Sequence, residues 1–168
     1  MNIVLIGFKN AGKSSVAKKL SKILQKKLID TDELIKRKIF EKFKKRLNIF
    51  EIFTFLKEEK FRKLESIVVL SIKDVEDSVI ALGGGAILNQ ENILAFKDKK
   101  ILYLKASKKI LKNRIAKEKK SIFTDDKLFE EKFERRKSIY ERFADVTIQT
   151  DNKDIETIAY EIREKVYV

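Results

Sequence analysis

The chain has 168 residues, a net charge of +13, and neither cysteine nor histidine. A chain of this length folds as one domain with a full core, and the missing residue types exclude disulfides, thiolate chemistry, Cys/His zinc sites and a histidine general base. No run approaches the ~18 apolar residues of a membrane span, and Lys9 and Lys13 interrupt any leader-like core near the N-terminus, so a cytoplasmic protein without a signal peptide is expected.

The apolar run Ile3–Ile6 reads as a buried strand, and Gly7-Phe-Lys-Asn-Ala-Gly-Lys-Ser-Ser15 follows it directly. This stretch fits G-x-x-x-x-G-K-[ST], the loop that holds nucleotide phosphates, in its proper strand–loop–helix setting. Gly7 and Gly12 permit backbone angles that turn N–H groups inward around an anion. The helix starting near Lys13 adds the positive end of its dipole. Lys13 is the residue to neutralise β- and γ-phosphates, and the Ser14 hydroxyl is a hard oxygen ligand for Mg²⁺. Phosphoryl transfer runs on positioning, Mg²⁺, lysine, arginine and carboxylates, and needs none of the absent residue types. Val16, Leu20, Ile23 and Leu24 form the apolar face of the first helix.

Leu28-Ile29 is the second strand, with Asp30-Thr31-Asp32 just beyond its carboxyl end, where open α/β sheets bind ligands. These aspartates read either as a helix cap or as chemistry, with Asp30 holding Mg²⁺ through water and Asp32 acting as a base toward a substrate hydroxyl. Residues 33–74 read as a long helical insertion carrying Ile35, Ile39 and Phe43, then Phe61, Leu64, Val68 and Ile72. Within it, Arg62 and Glu65 are an i, i+3 pair, either a surface ion pair or part of a site.

Val79–Leu82 is the third strand and leads into Gly83-Gly84-Gly85. All five glycines of the chain lie here and in the phosphate loop, which predicts close backbone approach to a ligand or a tight turn at both places. Ile101–Leu104 is the fourth strand. The polar stretch 113–126 is a candidate lid, whose Arg114, Lys117, Lys119 and Lys120 either face solvent or clamp phosphates. A helix from about Lys127 to Phe143 places Phe129, Phe133, Arg136 and Tyr140 on one stripe. An inward arginine needs an anion: an internal carboxylate, a ligand, or a route back to solvent. Val146–Ile148 is the fifth strand, and Ile155, Ile158, Ile162 and Val166 mark a last helix. The alternation of strands and helices gives an α/β fold with a mostly parallel five-stranded sheet. With no repeat or linker, residues 1–168 form a single domain with a helical insertion at about 33–62. The lysines are spread along the chain, so the charge reads as solvated faces that steer anionic ligands inward, against the alternative of a nucleic-acid or membrane-surface module.

Gly7–Ser15, Asp30-Thr31-Asp32, Phe61-Arg62-x-x-Glu65, Gly83-Gly84-Gly85 and Arg136-x-x-x-Tyr140, in this order and spacing, resemble the shikimate kinase family over nearly the whole chain. The resemblance implies a three-layer P-loop kinase fold of nucleoside-monophosphate-kinase type, with sheet order 2-3-1-4-5, and phosphorylation of the 3-hydroxyl of shikimate from MgATP. It implies that Gly7, Asn10, Ala11, Gly12, Lys13, Ser14 and Ser15 hold the phosphates, and that Ser14 and Asp30 hold Mg²⁺. Arg114, Asn152 and Lys153 would border the adenine, and Asp32 would bind the ring hydroxyls. Arg62 and Arg136 would grip the carboxylate, a task suited to the guanidinium fork, while Gly83, Gly84 and Gly85 let backbone approach the substrate. Lys120 would serve from the lid. Shikimate and ATP are the expected partners of a monomer with no nucleic-acid or membrane partner. The chain departs from the family pattern at Asn10, where glycine is usual; Asn tolerates left-handed angles. It departs again at Lys120-Ser121-Ile122-Phe123, where the lid normally reads Arg-Pro-Leu-Leu. The alternatives are a sibling such as gluconate kinase, a guanine-nucleotide switch, and a basic nucleic-acid-binding module.

Overall fold

The run Ile3–Ile6 forms β1, and all four of its residues are buried. A strand covered on both faces needs parallel neighbours and helical layers above and below, and the computed structural model, which describes residues 1–118, 121–123 and 125–167, has that arrangement. β1 pairs in parallel with β3 (Ser78–Ala81) on one side and β4 (Lys100–Lys105) on the other; β2 (Lys27–Asp30) lies outside β3 and β5 (Val146–Gln149) outside β4. The order is β2-β3-β1-β4-β5, as the family resemblance implies. Ala81 stands in register with both Leu5 and Asp30, so the segments leaving β1, β2 and β3 emerge side by side at one edge.

The helices are α1 (Lys13–Leu24), α2 (Thr31–Phe43), α3 (Ile49–Ser71), α4 (Gln90–Leu94), α5 (Lys108–Ala116), α6 (Asp126–Phe143) and α7 (Ile155–Tyr167). The helical insertion expected over 33–74 is built of two helices. α2 ends where Lys44 turns left-handed at φ 55°, and α3 starts from a capping box between Asn48 and Glu51. α3 is itself interrupted at Lys57, where φ 65° and ψ 161° are not helical. α4 and a one-turn 3₁₀ helix at Ala86–Leu88 are too short to leave a periodic signature.

Three apolar positions are less buried than expected. Leu28 is 43% exposed because β2 is an edge strand, and Phe43 and Ile155 lie at helix ends with 37% and 45% exposure. The main core fills both faces of the sheet, and a second cluster of Ile35, Ile39, Ile52, Phe61 and Val68 joins α2 to α3. Among the described residues no helix is long and apolar enough to cross a membrane.

Ile80 on β3 is fully buried. Ile80→Ala should cost about 3 kcal/mol in urea unfolding with an unchanged denaturant slope; a loss below about 1 kcal/mol would mean that this layer is not close-packed.

Candidate active site around the phosphate loop

The helix that follows the phosphate loop differs from the others at its start. Side chains of Asp30, Asn48, Asn89, Ser107 and Asp125 cap α2 to α6, and Asp154 accepts from the Thr157 N–H in α7. α1 starts from Gly12 at φ 94° with no side-chain cap, and a Cβ added at Gly12 would meet nothing within 4 Å. Its first N–H groups are therefore open to an anion. Ser14 and Ser15 are exposed there, while Ala11 is buried. Lys13 is buried and donates from Nζ to the Gly7 and Phe8 carbonyls at 2.8 and 2.9 Å. Burial lowers its pKa to about 8, with Asp32 and Asp30 opposing the shift. Asn10 takes the left-handed angle expected of it, φ 64°. Its Nδ2 donates to Glu118 Oε1 at 3.0 Å, Lys9 forms an ion pair with the same carboxylate, and Arg114 Nη1 donates to the Asn10 carbonyl at 2.7 Å.

Both readings of the aspartate pair find support, one on each residue. Asp30 caps α2 by accepting from the Asp32 N–H at 2.9 Å. Asp32 lines a pocket beside the loop, and its pKa is pushed up to about 6, by burial first and Asp30 second, against the pull of Lys13. Between them Thr31 Oγ1 donates to the Ala81 carbonyl at 3.3 Å and accepts from the Gly83 N–H at 2.9 Å. That residue ties the end of β2 to the glycine loop.

The two arginines converge on the same pocket. Arg62 is no surface residue: it donates from Nη1 at 2.7 Å to Glu65, whose side chain is 3% exposed. Arg136 is 2% exposed, so it does not reach back to solvent. It packs over the rings of Phe8 and Phe123 at 5.4 and 5.8 Å. Arg62 Nε and Arg136 Nη2 are buried without hydrogen-bond partners. Burial lowers the Arg136 pKa, and Arg62 adds to the effect, while burial raises that of Glu65 against the pull of Arg62. A buried donor without a partner is costly; Arg62 Nε has a Glu58 carboxylate oxygen 3.8 Å away, which leaves Arg136 Nη2 as the donor whose need is least met, on a residue that lines the pocket.

The three glycines of the loop line the pocket, and each also answers a steric need within the protein. A Cβ on Gly83 would fall 2.8 Å from Asp32 Oδ1 and 2.9 Å from Glu65 Oε1, and one on Gly85 would fall 2.6 Å from Arg62 Cζ. Gly83 and Gly85 make room for the protein's own charged side chains. Gly84 permits close backbone approach to the phosphate loop, where a Cβ would lie 3.0 Å from the Lys9 nitrogen. Tyr140 fixes this loop from below by donating its hydroxyl to the Gly84 carbonyl at 2.5 Å.

Sequence reasoning did not flag Lys9, Phe50 and Phe53 as pocket residues. Lys9 sits inside a motif position open to any residue, and the phenylalanines look like ordinary core. Asn152 and Lys153 are not drawn to the loop: Asn152 is exposed in a left-handed turn, and Lys153 binds Glu161 of α7 at 2.6 Å. Lys120 lies outside the described residues. Within the candidate lid, α5 runs to Ala116, and Phe123 is buried with its ring 5.0 Å from that of Phe8.

The shikimate kinase family model matches residues 9–167. Shikimate kinase of Caldanaerobacter subterraneus subsp. tengcongensis is 37% identical over 166 residues, spanning 96% of this chain and 93% of that protein. The Lactococcus lactis subsp. lactis shikimate kinase is 36% identical over 169 residues, spanning 98% of both. The solved shikimate kinase from Acinetobacter baumannii in complex with shikimate has a TM-score of 0.86 at 27% identity, covering 99% of this chain and 92% of its own.

Gly85→Ala should displace the Arg62 guanidinium from Glu65 and leave a buried carboxylate short of its cation. A loss of about 2 kcal/mol is expected in chemical unfolding, and a change within ~0.5 kcal/mol would show that the space is not needed.

Proposed function

The chain belongs to the shikimate kinase family and phosphorylates shikimate from ATP, and from that premise we propose how its residues divide the work. The uncapped N-terminus of α1 and the loop Gly7–Ser15 bind the phosphates through backbone N–H groups, with Asn10, Ala11 and Gly12 shaping the turn. Lys13 exchanges its bonds to the Gly7 and Phe8 carbonyls for phosphate oxygens, whose negative charge offsets the burial that disfavours its own positive charge. Arg114, held to the loop through the Asn10 carbonyl, borders the adenine, with Asn152 and Lys153 on its far side.

Ser14 and Asp30 are the residues to hold Mg²⁺. The donor set fits this ion. One Asp30 carboxylate oxygen caps α2 while the other is uncommitted, and no group of three or more acidic side chains of a protein-only metal cage occurs among the described residues. Mg²⁺ asks for only one or two protein oxygens beside water and phosphate. When bound it would neutralise charge on the phosphates.

The acceptor site rests on one observation, the buried Arg136 whose Nη2 has no hydrogen-bond partner, beside Arg62 in the same pocket wall; the two receive the shikimate carboxylate. Glu65 holds Arg62 in place, and Gly83, Gly84 and Gly85 close the wall beneath. Asp32 then faces the ring hydroxyls. The 3-hydroxyl oxygen attacks the γ-phosphorus, its proton passes to Asp32, and ADP leaves in line. A carboxylate near pH 6 suits this task, because it is ionised at neutral pH yet more basic than an ordinary one. Lys120 assists from the segment before Phe123. We further propose a monomeric cytoplasmic enzyme with no nucleic-acid partner. Family membership supports this reading over the gluconate kinase, guanine-nucleotide switch and nucleic-acid module readings.

A coupled ADP-release assay over shikimate, gluconate and nucleoside monophosphates should show turnover with shikimate; activity with gluconate alone would end this reading. Arg136→Ala should raise the shikimate KM about tenfold or more with a smaller effect on kcat, and an unchanged KM would remove the carboxylate role. Asp32→Asn should lower kcat at least ~100-fold; a near-wild-type rate would leave Asp32 a structural residue. The active free enzyme carries Asp32 ionised and Lys13 protonated. Its kcat/KM should therefore rise with pH through about 6 and fall through about 8. Bound phosphate holds the Lys13 proton, so the alkaline limb of kcat should move upward. A profile flat from pH 5 to 9, on the order of one unit beyond each limb, would contradict both assignments.

A further inference from the structure

Lys9 lines the acceptor pocket together with Asp32, Arg62 and Arg136, yet the reaction just described has no use for it. It is also a residue of the phosphate loop, two positions after Gly7, and its backbone nitrogen lies against Gly84. Lys9 thus stands where the nucleotide loop and the acceptor pocket meet. Its charge reaches Lys13, where it adds to the lowering of that pKa.

The counter-charge comes from Glu118, just past the end of α5. Its carboxylate pairs with Lys9 and accepts from Asn10 Nδ2 at 3.0 Å. One turn earlier, Arg114 bonds the Asn10 carbonyl at 2.7 Å. A carboxylate therefore spans two consecutive residues of a loop whose motif binds phosphate. The two side chains are 27% and 29% exposed, and so accessible an ion pair is weak. A more highly charged terminal phosphate can displace it.

We propose that Lys9 is a cation of the transfer junction: Glu118 holds it in the ligand-free protein, and the γ-phosphoryl group of bound nucleotide takes the place of Glu118. This rests on the nucleotide and acceptor sites assigned above. During transfer the shikimate oxygen bonds to the γ-phosphorus as the bond to the β–γ bridging oxygen breaks. The hydroxyl proton goes to Asp32, and the electron pair of the broken bond leaves with ADP. Lys9 stays protonated throughout and stabilises the charge on the moving group.

Calorimetric titration of the full chain with MgADP and with a non-hydrolysable MgATP analogue tests this without an acceptor. Lys9→Met keeps the aliphatic stem and removes the charge. It should weaken the analogue about tenfold while changing ADP affinity less than about twofold. Lys9→Arg should restore the ratio, and Glu118→Gln, which frees Lys9, should tighten the analogue. With shikimate, Lys9→Met should lower kcat about tenfold. An analogue-to-ADP ratio unchanged in Lys9→Met would overturn the proposal and leave Lys9 and Glu118 a surface ion pair. Wild-type turnover of gluconate in place of shikimate would overturn the acceptor assignment, and the affinity ratio would still report on Lys9.

Discussion

Charge held out of water before any ligand arrives is the constraint on which the rest of this structure depends. Lys13, Glu65 and Arg136 are all nearly closed to solvent, and Asp32 and Arg62 complete the group around one pocket. Displacing Lys13 to about 8 and Asp32 to about 6 costs on the order of 3 kcal/mol for each group. That cost is what makes the site ready to act. Dipoles and charges already fixed in a poorly solvated cavity need no rearrangement when phosphate charge shifts during transfer.

Holding such charges in position requires a stiff frame, and the parallel sheet provides it. Because β1, β2 and β3 run the same way, the phosphate loop, the aspartate pair and the glycine loop leave the sheet at one edge. Thr31 then joins the second to the third by two hydrogen bonds, and Tyr140 joins α6 to the third by one. The helices α2 and α3 bring Arg62 and Glu65 from the far side on their own apolar cluster. Phe8 connects the two cores of function. It belongs to the phosphate loop, yet its ring packs against Phe123, Phe129 and Phe133 and beneath Arg136. The phosphate loop and the buried Arg136 thereby share one aromatic cluster.

Much of this could be read from the residues, and the reason differs from case to case. The phosphate loop was readable because its chemistry is local: strand, loop and helix follow one another in the chain. Arg136 was readable because a helix repeats every 3.6 residues, so Phe129, Phe133 and Tyr140 reveal which way it faces. The sheet order came only with the family resemblance, since periodicity says nothing about which strands pair. The exposure of Leu28 follows from that order, as the last strand in a sheet has one side without a neighbour. The further reason for Gly83 and Gly85 is not legible in the sequence, because the side chains that need the space, Asp32, Glu65 and Arg62, come from distant parts of the chain. The break in α3 at Lys57 involves no glycine or proline, and the helical pattern continues across it.

The unpartnered nitrogens of Arg62 and Arg136 have a consequence beyond chemistry. A ligand that binds only the folded chain adds to its stability by mass action, about 2.7 kcal/mol at a hundred times its dissociation constant. An anion that satisfies these donors therefore shifts the balance between folded and unfolded chains as well as occupying a site. In a living cell the unfolded fraction is what proteases remove. A chain with its acceptor site filled would therefore spend less time unfolded, and so be a poorer protease substrate, than the same chain with that site empty.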